Sequence, residues 1–152
     1  MGSTSRTFIR NFDYSEFDCY TTPGSGYKHM DREFLLMIDE ARQIAGITFK
    51  ILRGYVTPAH SDRINLPKDH PHLLGRAACI WCKDSSKRLK IVSSLLEVGF
   101  VRIGISPEHI YIDNDETRPP MISLFSRDTK IMKFVNDDFK SKYRSGKHNK
   151  SK

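Results

Sequence analysis

Apolar side chains recur every third or fourth residue in two stretches of this 152-residue chain, and the segments beside those stretches alternate apolar with polar. Over residues 31–46 the recurring positions are Phe34, Leu35, Ile38, Ala41, Ile44 and Ala45, which lie on one face of an amphipathic helix. Asp31 suits its N-cap, and Gly46 stands where a left-handed residue ends a helix. A second helix is predicted over residues 85–98, with Leu89, Val92, Leu95 and Leu96 as its buried stripe and Gly99 as its stop. The alternation in residues 47–51 predicts a half-buried strand that turns Ile47, Phe49 and Ile51 inward. Residues 76–81 read as a short strand, with Ala77, Cys79 and Trp81 on one side and Ala78 and Ile80 on the other. Two more strands are predicted over residues 100–105 and 109–113, around the Ser106-Pro107 turn, and a last one near residues 121–125.

The remaining segments lack such periods. The first thirty residues mix aromatics with turn formers up to Gly26 and predict an arm, residues 1–26, that wraps the main domain of residues 27–139. Residues 57–71 contain Pro58, Pro67 and Pro71 and predict a long surface loop of the kind that carries function. A short helix is expected over residues 129–139, leading into a basic disordered tail over residues 140–152. One domain's worth of core is what this length can bury.

Charge changes that picture little. The formal net charge is +7, but Lys140, Lys142, Arg144, Lys147, Lys150 and Lys152 fall in the tail without a single acid, so the rest is nearly neutral. Nucleic acid is therefore a candidate partner only through the tail. No apolar run approaches the ~20 residues of a membrane span or forms a signal sequence, so no membrane insertion is expected and the chain reads as synthesised in the cytoplasm. Cys19, Cys79 and Cys82 are too few for a disulfide framework, and Cys79-Ile80-Trp81-Cys82 has no second pair to complete a structural zinc site.

The ordered residues Gly24-Ser25-Gly26, Met30-Asp31, Phe34-Leu35, Ile38-Asp39-Glu40-Ala41-Arg42, Gly54-Tyr55, Thr57-Pro58, His72-x-x-Gly75-x-Ala77, Asp84-Ser85-x-x-Arg88 and Gly99-Phe100-x-Arg102-Ile103-Gly104-Ile105 carry a resemblance. Together they resemble the zinc D-Ala-D-Ala carboxypeptidases and related cell-wall peptidases, in the short form often carried by bacteriophages. The resemblance implies an α+β domain with packed helices on a small antiparallel sheet, the Hedgehog/DD-peptidase fold. It also implies zinc, a peptidoglycan stem peptide or cross-link as substrate, and hydrolysis as the activity.

In that family a His, an Asp and a second His hold the metal. Here the first position is His72, the Asp position is Cys79 and the last His position is Tyr111. A thiolate is a good zinc ligand, whereas a phenol must first lose a proton of pKa near 10. His109, two residues before Tyr111 on the same strand face, and His70, at the family's Ser position, are substitute ligands, with Cys82 more distant. Glu108 stands where the resemblance places a carboxylate general base. Where the relatives carry Ser-Gly-Tyr-Arg, this chain has Arg53-Gly54-Tyr55-Val56, which makes Arg53 and Tyr55 the candidate substrate-binding residues. Two readings stand side by side: a zinc peptidase with a rearranged metal site, and a catalytically inactive relative that binds cell-wall peptide or serves as a virion component.

Overall fold

The computed structural model describes residues 8–124. Four helices, α1 (Ser25–His29), α2 (Arg32–Ala45), α3 (Pro58–Ile64) and α4 (Ser85–Glu97), accompany five strands, β1 (Lys50–Arg53), β2 (Ala77–Trp81), β3 (Arg102–Ile105), β4 (His109–Asp113) and β5 (Met121–Leu124). The strands form one sheet in the order β1-β2-β4-β3-β5, antiparallel except for the β3–β5 pair. The class is α+β, as expected, with one parallel edge that the alternation did not reveal. The helix and tail expected over residues 129–139 and 140–152 lie outside the described residues.

The caps expected for α2 are in place: Asp31 accepts a bond from the Phe34 amide at 2.9 Å, and Gly46 is left-handed at φ 69°. Its inward residues are Phe34, Leu35, Ile38 and Ala41, but Ile44 is exposed and Asp39 is fully buried. The Asp39 carboxylate accepts from the Asn11 amide at 2.7 Å and from the Arg10 amide, so a charged side chain ties the N-terminal segment to the helix. In α4 the inward face is Ile91, Ser94 and Leu95, whereas Leu89 and Leu96 point to solvent. The expected stripe there was offset because two apolar residues on an exposed face mimic the period.

Residues 57–71 are not one loop. Thr57 accepts from the His60 amide at 3.2 Å, Pro58 occupies the first turn, and Asn65 ends α3 in the left-handed region. Thr-Pro is an N-cap followed by the residue that fits position N1, so a helix start was present without a long apolar period. A 3-10 turn, Pro71–Leu74, follows. Strand β1 begins three residues later than the alternation suggested, although Phe49 is buried as expected.

One sheet face packs on α2 and α4 through Ala78, Ile80, Ile103, Ile110 and Ile112. Phe17, Phe34, Phe49 and Phe100 complete this core, each worth ~1.5–3 kcal/mol on full burial. Ile9, Phe12, Phe17 and Cys19, from the expected arm, are core residues too, and α1 runs across residue 26.

The other sheet face carries a cross-strand row, Arg53, Cys79, Tyr111, Gly104 and Ser123, one residue from each strand. Arg53 joins this row because the register shifts between Ile51 and Arg53, a bulge that sets Leu52 aside and aims Arg53 at Cys79. His70 and His72, in the segment from Gly54 to Gly75, lie against this face at Cys79 and Tyr111.

Gly75, at φ 70°, lies so close to the chain at His29 that an added Cβ would collide with the His29 carbonyl oxygen. Gly46 is equally left-handed, but nothing lies within 4 Å of its missing Cβ. Gly46→Ala is therefore expected to cost only the backbone term of ~1–2 kcal/mol, and Gly75→Ala about 3 kcal/mol or more. Urea unfolding of both variants checks this; equal losses would refute the contact's role.

Candidate functional site

His72, Cys79 and Tyr111, spread over forty residues of sequence, lie together in the structure. His72 is 2 % exposed, and its Nε2 lies 3.8 Å from the Cys79 sulfur. The Tyr111 ring stands edge-on to His72 with centroids 5.7 Å apart, and Tyr111 is the cross-strand partner of Cys79. His70 stacks on His72 at 5.1 Å with the rings nearly parallel.

The tautomers follow from the hydrogen bonds. His72 Nδ1 is 2.7 Å from the Gly54 carbonyl, which can only accept, so Nδ1 carries the proton and the Nε2 lone pair faces Cys79. His70 Nδ1 accepts from the His72 amide at 3.1 Å, so in the neutral ring the proton sits on Nε2. Burial pushes the His72 pKa down to about 3, against a weaker opposing pull from the Gly54 bond. Burial also pushes the Cys79 thiol up to about 11, although Arg53 works the other way. The pair is therefore a neutral thiol beside a neutral imidazole, not an ion pair.

Tyr111 is committed elsewhere. Its hydroxyl donates to Asp113 Oδ2 at 2.6 Å, and Arg102 Nε donates to Asp113 Oδ1 at 2.7 Å. Asp113 is wholly buried and also accepts from the Asp115 amide. Burial first, then the Asp113 charge and bond, raise the phenol's pKa well above its usual value. A phenol held this way is a hydrogen-bond donor and not an anionic ligand.

The other expected residues are more scattered. His109 shares a face with Tyr111 but sits opposite Trp81, two pairs further along, with Nδ1 2.9 Å from the Ser106 hydroxyl. Glu108 is exposed in the turn before β4. It lies three residues from Tyr111, roughly 10 Å along the chain and on the opposite strand parity. Cys82 is buried in the core, where its thiol donates to the Asp84 carbonyl. All three cysteines are unpaired. Arg53 and Tyr55 line a pocket of about 80 Å3 with Cys19, Tyr20 and His60, and the Tyr55 ring stacks on His29 at 4.6 Å.

A tetrahedral zinc ion with bonds of about 2.0 Å to nitrogen and 2.3 Å to sulfur separates those donors by roughly 3.5 Å. The observed 3.8 Å between His72 Nε2 and Cys79 Sγ fits one edge of such a tetrahedron. Among the described residues no group of three or more His, Cys, Asp and Glu converges on one point. The fit thus extends to two ligands, His72 and Cys79. Asp113, Arg102 and the Gly54 carbonyl are supporting groups not anticipated from sequence. The period of two from Tyr111 to Asp113 was a usable signal; the cross-strand approach of Arg102 was not.

Comparison with protein-family models gives no match for this chain, and comparison with curated proteins gives none. Among the described residues no helix is long and apolar enough to cross a membrane.

Two predictions follow from the protonation states. In metal-free protein the lowered His72 pKa means that the unfolded chain binds the proton first as pH falls. Its contribution is whole above pH 6.5 and declines as pH falls towards about 3, with a limiting slope of ~1.4 kcal/mol per unit. Urea unfolding between pH 7 and pH 4 is expected to show this loss, and His72→Asn, whose amide can replace the Nδ1 donor, to reduce the slope. His60, His70 and His109 are shifted downward as well, so the slope shrinks without vanishing. Tyr111→Phe removes a donor from buried Asp113 and is expected to cost ~1–3 kcal/mol at pH 7 by the same measurement.

Proposed function

We propose that this chain is a zinc-peptidase-like domain of the D-Ala-D-Ala carboxypeptidase and endopeptidase class, with the Hedgehog/DD-peptidase fold, directed at peptidoglycan stem peptides or cross-links. The single observation that carries this reading is the convergence of His72, Cys79 and Tyr111 on one sheet face. The resemblance assigns these three positions one role, and the β2–β4 pairing and the 3.8 Å approach of His72 to Cys79 bring them side by side.

His72 and Cys79 would hold the metal. A bound zinc ion would supply Lewis acidity towards a peptide carbonyl and a water of lowered pKa. The chain's own residues set its environment. The Gly54 carbonyl fixes the His72 tautomer, a supporting contact of the kind that orients metal-bound imidazoles. A thiolate in place of a carboxylate donates more charge and softens the ion. Arg53 lies beside Cys79 across the β1–β2 pair and offers a cation to a substrate carboxylate or carbonyl.

A second reading, a catalytically inactive domain that still binds stem peptide, is favoured by the Tyr111–Asp113 bond and by the exposed position of Glu108. Zinc titration of the chelator-treated protein, followed by assay of D-Ala release from stem pentapeptide, separates the two. The first reading expects one zinc per chain, a thiolate-to-metal charge-transfer band on cobalt substitution, and D-Ala release. Loss of either ligand, in His72→Ala or Cys79→Ser, is expected to weaken the metal by more than the ~10–100-fold typical of supporting contacts. Stem-peptide binding without zinc or hydrolysis would select the second reading, and absence of all three would refute both.

A further inference from the structure

Helix α4 and the edge strand β5 carry a strip of incompletely covered apolar side chains. On α4 it is Leu89 and Leu96, both exposed, with Val92 half-buried between them. Their spacing of three and four residues puts them on one flank of the helix. On the sheet it is Ile105 of β3 and Ile122 of β5, half-buried at the margin of the core, and exposed Leu124. Ile122 and Leu124 are the register partners of Ile103 and Ile105, so they face the side of the sheet on which α4 packs.

The two halves of the strip face each other. Strands β2 and β3 both run antiparallel to β4, which makes α4 the crossover of a β2–α4–β3 unit. Such units cross over right-handed, and that sense turns the flank of Leu89, Val92 and Leu96 away from β2 and towards β5. Arg88 fixes one end of the strip: its guanidinium donates to the Pro107 carbonyl at 2.9 Å, in the turn that follows Ile105. Leu89 therefore lies at the end of the sheet where β5 finishes, with Leu124 beside Ile105.

The chain continues from that point. Residues 129–139, predicted from sequence as a helix, place Ile131, Phe134, Val135 and Phe139 on one face with Met132 beside them, and Lys130, Lys133 and Asp137 on the other. Asp138 interrupts the apolar face only in its last turn. As a helix, Ile131 to Phe139 rises about 12 Å, against about 10.5 Å from Leu89 to Leu96. Residues 125–128 reach about 13 Å when extended, enough to turn back onto the sheet, as the chain does in residues 82–84 between β2 and α4. We infer that residues 129–139 dock as an amphipathic helix on the strip between α4 and β5 of their own chain. Nothing in this depends on the peptidase reading.

Hydrogen-exchange mass spectrometry of the full chain is the test. An isolated helix of this length is marginal in water, so protection of residues 129–139 reports docking. Their amides are expected to exchange at least about tenfold more slowly than those of an unstructured chain, equally at low and high protein concentration. Leu89→Asp/Leu96→Asp, at exposed positions, and Phe134→Asp, outside the described core, are each expected to abolish this protection while α2 and β2 to β4 keep theirs. If the double variant loses protection throughout, Phe134→Asp alone decides. Unprotected residues 129–139 in the unaltered chain, protection that survives in a folded variant, or protection that grows with concentration, which would assign the strip to a second copy, would each overturn the inference.

Discussion

The candidate site depends on two places where main chain touches main chain with no room for a side chain between. An added Cβ on Gly54 would sit 2.7 Å from the backbone of Phe17, and one on Gly75 would strike His29. These glycines bracket the segment that lies over the open sheet face. Hydrogen bonds fasten both ends: Tyr55 donates its amide to the Phe17 carbonyl at 2.9 Å, and Asp31 donates its amide to the Gly75 carbonyl at 2.8 Å. Between them Val56 donates to the His72 carbonyl, and the His72 ring returns a bond to Gly54. His72 is thus held through its own backbone and its own ring, which is why it can be buried and still present one nitrogen to Cys79.

Buried charge does the same for the sheet. Asp113 is wholly buried, a position that would be costly without partners, and it has three: the Arg102 guanidinium, the Tyr111 hydroxyl and the Asp115 amide. Arg102 is the register partner of Asp113 on β3, so pairing of the strands brings the two charges together. The same bonds turn the Tyr111 hydroxyl along β4 and keep it protonated. Tyr111 is thereby part of a structural network. Asp39 performs a parallel task at the other end of the core, where its carboxylate collects the amides of Arg10 and Asn11.

Helices α2 and α4 and strands β2 to β4 were legible because each is long or regular enough for its period to stand out. The caps at Asp31 and Gly46 were legible because capping is local chemistry. Helix α3 was missed: seven residues hold barely two turns, and only its Thr57-Pro58 start announced it. Ile44, Leu89 and Leu96 were misplaced because one apolar face of a helix does not disclose how wide its neighbour is. At the site, the shared strand face of His109 and Tyr111 was legible from the period of two, whereas their pairing opposite Trp81 and Cys79 and the approach of His72 came from tertiary structure.

What the sequence determined by itself was therefore the set of elements with strong local periods, and their caps. Bond direction was left to tertiary structure. Whether His72 Nε2 or Nδ1 faces Cys79, whether the Tyr111 phenol is ligand or donor, and whether Glu108 reaches the site all depend on partners far along the chain: Gly54, Arg102 and the register of β2 on β4. Protonation and aim are set by neighbours in space, and sequence spacing constrains those neighbours only within a single helix or strand.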